Sequence, residues 1–116
     1  MTNQQNCLAA WNSMPVADFI SHAIRDRVTG DADTLTEQAR TYARCLVLMC
    51  SNATDTTDQL STFNWINAQD VAGQARFDLR KHLSEKSLDA FRAAVTSHLK
   101  ENGVKAMYDL TKTVPL

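Results

Sequence analysis

The residues of this sequence best suited to metal binding are three cysteines and three histidines, and their spacing indicates no site. Cys45 and Cys50 would point about 140° apart on a helix, so they cannot bind one ion together. His22, His82 and His98 lie far apart in the sequence and form no chelating pair. We therefore predict no metal and no cofactor, and we expect free thiols that pack as small hydrophobic side chains.

The sequence also gives no pattern typical of catalysis. Ser21-His22 and Ser97-His98 are sequence neighbours, and neighbours on a helix point about 100° apart, so neither serine can reach the adjacent imidazole. The three glycines stand singly at positions 30, 73 and 103 and cannot form a phosphate-binding loop. Most carboxylates fall on polar faces or near predicted helix starts, where they complement the helix dipole. We predict no catalytic residue and a protein that is not an enzyme.

One helix face has a composition typical of a contact surface. In a helix that restarts near Asn67, the side opposite the apolar stripe carries a glycine, an aromatic ring and basic residues: Gly73, Arg76, Phe77, Arg80 and Lys81. A glycine permits close backbone approach, an aromatic ring can anchor a partner, and arginines supply directional donors. We predict a partner-binding site here. The alternative is that Phe77 packs beneath another helix and the arginines form a solvated face.

Charge is divided unevenly along the chain. Residues 1–58 carry four basic and seven acidic side chains, whereas residues 59–116 carry eight basic and six acidic ones. The C-terminal half therefore has a modest basic face that could touch nucleic acid. The residues for this contact are Arg76, Arg80, Lys81, Lys86 and Arg92. Their acidic neighbours argue for weak binding at most.

The balance of residue types favours helix. Alanine and leucine total 26 residues, valine and isoleucine total 10, and only three glycines and two prolines are present. We predict an all-α fold, a compact single-domain bundle of about five helices, three long and two or three short. The domain spans residues 1–116, with a polar connector near 51–58.

Periodicity and capping residues place the helices. Long helices are predicted over 14–29 with Ser13 as N-cap, over 35–51, and over 85–102 with Ser84 as N-cap. The first twelve residues predict a short helix.

Two further capping residues refine these helix starts. Thr34 and Glu37 fit a capping box, and Asn67 with Asp70 fits the restart of the helix that carries Phe77.

One stretch of the second long helix is apolar around its whole circumference. Val47, Leu48 and Cys50 lie on different sides of that helix. A helix of this kind is surrounded by other protein. We interpret it as the central helix of the domain, and a subunit interface is the alternative.

Net charge and length restrict the class of protein. The 116 residues carry a net charge of −1, which excludes a strongly basic nucleic-acid binder and an acidic mimic of DNA. No apolar run is long enough to span a bilayer, and the N-terminal residues lack the features of a signal peptide, so we expect a cytoplasmic protein.

These observations favour a small non-enzymatic interaction protein. We expect an inhibitor, an adaptor or a small subunit of a larger bacterial or phage complex, bound to a protein partner or to itself, with no membrane contact and no evident small-molecule ligand. The alternative is a nucleic-acid-associated protein that uses the modest basic face.

Overall fold

All regular structure in the described part of the chain is helical. The computed structural model describes residues 2–24, 31–51 and 65–105. The five helices are α1 (Asn3–Asn12), α2 (Val16–Ala23), α3 (Ala32–Ser51), α4 (Trp65–Arg80) and α5 (Glu85–Glu101). Three are long and two are short, which confirms the predicted all-α bundle. The predicted connector near 51–58 lies almost entirely outside the described residues. No described helix is both long and apolar enough to cross a bilayer.

The central element is α3, which packs most extensively on α4 and also contacts α1, α2 and α5. All six residues from Cys45 to Cys50 are buried, and Val47 is 0% exposed. The apolar circumference predicted from the sequence is therefore covered within a single chain. It has no surface left for a subunit contact, so the interface alternative for Val47, Leu48 and Cys50 is wrong.

Helices α1 and α5 begin with side-chain caps that their sequences encode locally. At α1, the Thr2 hydroxyl accepts from the Gln5 amide at 3.1 Å, and the Thr2 amide donates to Gln5 Oε1 at 2.8 Å. This capping box was not predicted. At α5, the Ser84 hydroxyl accepts from the Ser87 amide at 3.2 Å, as predicted. Gly103, with φ of 76°, follows the end of α5 in the left-handed conformation that glycine favours.

The predicted bounds of α2 are wrong at both ends. Ser13 caps the end of α1, where its hydroxyl donates to the Ala9 carbonyl at 3.0 Å. Pro15 occupies the position before α2 and provides no side-chain cap. The helix ends at Ala23, because Ile24 adopts an extended backbone while its side chain packs against the core. Residues 25–29 of the prediction lie outside the described part of the chain.

Two other starts differ from their predictions. Helix α3 begins at Ala32 and not at 35, because the Asp31 carboxylate accepts from the Asp33 amide at 3.4 Å and from the Thr34 hydroxyl at 3.1 Å. Thr34 therefore lies inside the first turn and is not the cap. Helix α4 begins at Trp65, two residues before the predicted restart at Asn67.

Two asparagines of α1 tie it to the chain that follows α5. The Asn3 side chain accepts from the Lys105 amide at 2.7 Å and donates to the Cys50 carbonyl at 3.0 Å. Asn6 donates to the Gly103 carbonyl at 3.2 Å. The Cys50 carbonyl lies in the last turn of α3, where carbonyl groups have no partner within the helix. The other two hydrogen bonds join α1 to residues 103 and 105, just beyond α5.

Candidate protein-binding face on α4

Helix α4 has one buried side and one exposed side, as its 3.6-residue period requires. Ala72, Ala75 and Leu79 are buried toward α3 and the core. The opposite side consists of Asp70, Gly73, Gln74, Phe77 and Arg80, and Lys81 continues it just beyond the end of the helix; all are exposed except the half-buried Gly73. We call these six residues the Phe77 face. Phe77 itself is 60% exposed, and no other large hydrophobic side chain in the described residues is classed as exposed. Its predicted position on the solvent side is confirmed.

The cations on this face contact nearby groups of the same chain. Arg80 Nε lies 2.6 Å from Glu85 Oε1. Lys81 Nζ lies 4.8 Å from the centre of the Phe77 ring and 3.7 Å from Asp78 Oδ1. Phe77, Arg80 and Lys81 line a recess of about 360 Å³. The aromatic ring is thus bordered by positive charge on one side and left uncovered elsewhere.

Arg76 does not belong to this face, although the sequence placed it there. As the neighbour of Phe77 it points about 100° away around the helix, toward α5. Its side chain is only 25% exposed, and Nη2 lies 3.9 Å from Glu85 Oε1. Its Nε is buried with no hydrogen-bond partner in the described part of the chain. The structure therefore brings together four of the five predicted partner-binding residues and turns Arg76 inward.

The residues predicted for a nucleic-acid contact do not form a continuous basic surface. Arg92 is 14% exposed, and its Nη2 contacts Asp89 Oδ1 at 2.9 Å. Arg76 and Arg80 share Glu85, and Lys81 pairs with Asp78. Lys86 lies apart from the Phe77 face, in the first turn of α5, and is exposed. Four of the five cations thus have a carboxylate partner within the chain.

No family model, curated protein or solved structure matches the chain. What the protein does must therefore be inferred from its own side chains.

The three cysteines are buried, and none of them forms a disulfide bond. Burial raises the pKa of Cys45 and of Cys50 to about 12. A buried thiol with so high a pKa holds almost no thiolate, which is the nucleophilic and metal-binding form. In the described ranges, no three His, Cys, Asp or Glu side chains lie close enough together to hold a metal ion. The interpretation of the cysteines as small hydrophobic core residues is confirmed.

A serine–histidine pair that the sequence did not predict lies between α1 and α5. Ser13 Oγ is 3.1 Å from His98 Nε2, and a recess of about 370 Å³ adjoins both. The same Nε2 lies 2.8 Å from the Ala10 carbonyl oxygen, which can only accept a hydrogen bond. Nε2 must then carry the proton, so it cannot act as a base toward Ser13. The pair ties α5 to the end of α1, with His98 half-buried as predicted.

A buried polar cluster joins α3, α4 and α5 behind the Phe77 face. Tyr42 is fully buried, and burial raises the pKa of its hydroxyl, opposed in part by the nearby Arg92 and Arg76 guanidinium groups. The Tyr42 ring also lies 6.4 Å from that of Phe91. Arg76 lies beside this cluster and contacts Glu85 of α5, an inter-helix contact that the sequence of α4 alone does not show.

Proposed function

We propose that this chain is a small non-enzymatic interaction protein that binds another protein through the Phe77 face. The observation that supports this function is the 60% exposure of Phe77 on an otherwise regular amphipathic helix. A phenylalanine buries roughly 200 Å² when covered, so the uncovered part is about 120 Å². At about 25 cal/mol per Å², a partner that covers it gains about 3 kcal/mol. That is the magnitude expected of an interface anchor.

The neighbours of Phe77 suit such an anchor. Arg80 and Lys81 border the ring, and the exposed Gln74 and Asp70 lie about one and two turns before it on the helix. Polar groups around an apolar centre are the usual anatomy of a protein interface. Exposed hydrophobic surface rimmed by polar residues marks interaction sites. An inhibitor, an adaptor or a small subunit of a larger bacterial or phage complex in the cytoplasm would use the face in this way.

The nucleic-acid alternative has less support. Binding of phosphates depends on a set of accessible cations on one surface. Arg76 and Arg92 are only 25% and 14% exposed, and carboxylates lie among the candidate cations, so the five do not form such a surface. We expect no change in the fluorescence anisotropy of a labelled DNA or RNA duplex at physiological salt. Tight binding that weakens steeply with added salt would favour the alternative.

The proposed function is tested by photo-crosslinking. A benzoylphenylalanine at position 77 places a reactive ring on the face, and the same residue at Ala93, exposed on α5, is the matched control. In extracts of cells that make the chain, we expect a discrete adduct from position 77 and none of the same mass from position 93.

Competition shows whether the adduct depends on Phe77. Unlabelled wild-type chain should suppress the adduct, and unlabelled Phe77→Ala chain should not. Equal suppression by both chains, or the same adducts from both positions, would contradict the proposed function.

A further inference from the structure

We infer that the Phe77 face binds a second copy of this chain, with the two α4 helices antiparallel and a twofold axis at the level of residue 75. This inference rests on the proposed function, because it names the partner of the same face. Two features of the face lead to it. One is the position of a glycine relative to the exposed ring, and the other is the distribution of charge along the helix.

The shape of the face is complementary to itself in the antiparallel orientation only. Gly73 and Phe77 lie one turn apart on the same side of α4, each two residues from position 75. At about 1.5 Å per residue, each lies about 3 Å from that level. A twofold axis there brings Phe77 of one copy level with Gly73 of the other. The half-buried glycine has no side chain, so it leaves room for the ring. A parallel pair would place ring against ring and glycine against glycine.

The charges follow the same symmetry. Asp70 is exposed five residues before position 75, and Arg80 and Lys81 are exposed five and six residues after it. The twofold axis therefore places Asp70 of each copy beside Arg80 and Lys81 of the other, twice in one dimer. In a parallel pair, Asp70 would face Asp70 and Lys81 would face Lys81. Complementary charge of this kind fixes the orientation and register of an interface.

The contacts that these cations already make do not prevent the new ones. Arg80 pairs with Glu85, and Lys81 with Asp78, on side chains that are 31–57% exposed. Ion pairs at the surface contribute little to stability, so either cation can turn toward a second copy at small cost. Glu85 and Asp78 would stay near the rim and share the positive charge.

The length of the face indicates a reversible dimer. From residue 70 to residue 81 the helix extends about 17 Å. A contact of this length falls in the small class of interfaces, below about 1,200 Å² of buried surface, which is typical of transient complexes. We expect a dissociation constant in the micromolar range.

The test is sedimentation velocity of the full chain, from about 1 µM to about 300 µM, the range in which a small interface dissociates. Three variants are compared with the wild type: Asp70→Lys, Lys81→Glu and the double variant. Each single change places like charges opposite each other, so we expect the dissociation constant to rise at least about tenfold. The double variant restores the attraction between positions 70 and 81 while Arg80 keeps its charge, so we expect it to associate at least about threefold more tightly than Asp70→Lys alone.

Two controls accompany these variants. Glu101→Lys changes the net charge by the same amount as Asp70→Lys. Glu101 is exposed on α5 and lies outside the Phe77 face, so this change should leave association unchanged. Phe77→Ala removes the anchor and should abolish the dimer.

The outcomes separate this inference from the proposed function. A chain that stays monomeric throughout, while the crosslink at position 77 persists to another protein, overturns the second copy and leaves the proposed function standing. A dimer that Phe77→Ala does not weaken uses another surface and overturns the second copy as partner of the Phe77 face, whereas the proposed function is decided by the crosslink at position 77. A dimer that needs Phe77 but associates no more tightly in the double variant than in Asp70→Lys overturns the antiparallel register.

Discussion

Removing the same atoms from two phenylalanines should have very different effects on stability. Phe91 on α5 is 0% exposed and packs beside Tyr42. Phe91→Ala should therefore lower the free energy of unfolding by about 3–5 kcal/mol, the usual cost of emptying a core position of this size. Phe77 has only two-fifths of its surface covered. The covered area of Phe77 is therefore roughly 80 Å², and burying it contributes at most about 2 kcal/mol to the free energy of unfolding.

Two effects lower and one raises the cost of Phe77→Ala. Alanine keeps part of the covered area and has a higher helix propensity than phenylalanine by about 0.5 kcal/mol. The contact of the ring with Lys81, at 4.8 Å, is lost; at an exposed site such a contact is worth about 0.5 kcal/mol. The net expectation for Phe77→Ala is a loss of about 1 kcal/mol.

The measurement is urea unfolding followed by far-ultraviolet circular dichroism, at about 1 µM chain so that association does not contribute. If Phe91→Ala does not fold, Phe91→Leu provides the core reference with a smaller loss, under about 1.5 kcal/mol. A Phe77→Ala loss of about 3 kcal/mol or more would show that Phe77 is a core residue in solution. The Phe77 face, and both proposals built on it, would then be wrong.

Three further predictions concern stability. Between pH 9 and 12 the free energy of unfolding should fall, because Cys45 and Cys50 ionise near pH 9 when unfolded but keep their protons up to about pH 12 when folded; at pH 10 the loss is about 1.4 kcal/mol per thiol. Tyr42, whose pKa is also raised by burial, adds to this loss of stability at higher pH. Urea midpoints that stay constant from pH 8 to 11 would contradict the predicted pH dependence. Asn3→Ala should lower the free energy of unfolding by about 1–3 kcal/mol in the same assay, because the polar groups that Asn3 binds lose their hydrogen-bond partner. An unchanged free energy of unfolding would show that water replaces the Asn3 side chain. Ser84→Ala should cost about 1 kcal/mol through loss of the α5 cap, whereas Ser84→Asp should keep most of the stability.

The sequence predicted α5 better than α2 because its signals are local. Ser84 caps α5, and Gly103 follows its end within a few residues. The ends of α2 depend instead on the contacts that Ser13 and Ile24 make in the folded chain. Ser13 forms hydrogen bonds with α1 and with His98, which is 85 residues away. At α3, Asp31 and Thr34 are both good caps, and nothing in the local pattern ranks the carboxylate above the hydroxyl.

The same distinction applies to the candidate site. The exposure of Phe77 follows from the period of a single helix, so the sequence predicted it correctly. The contact of Arg76 with Glu85 joins α4 to α5, and the proximity of Arg92 to Tyr42 joins α5 to α3. The Ser13–His98 pair joins residues far apart in the chain. Such contacts become visible only when the packing of α1, α4 and α5 is known.

The ties between α1 and the end of α5 affect the order in which the chain can fold during synthesis. Asn3 leaves the ribosome 102 residues before Lys105, to which it bonds. At about 5–20 residues per second, that separation corresponds to roughly 5–20 seconds. During this time α1 can form its own capping box, pack on α3 and bind the Cys50 carbonyl, but its hydrogen bonds to Gly103 and Lys105 cannot yet form. Helix α1 therefore joins the bundle in two steps, first through α3 and later through the chain that follows α5.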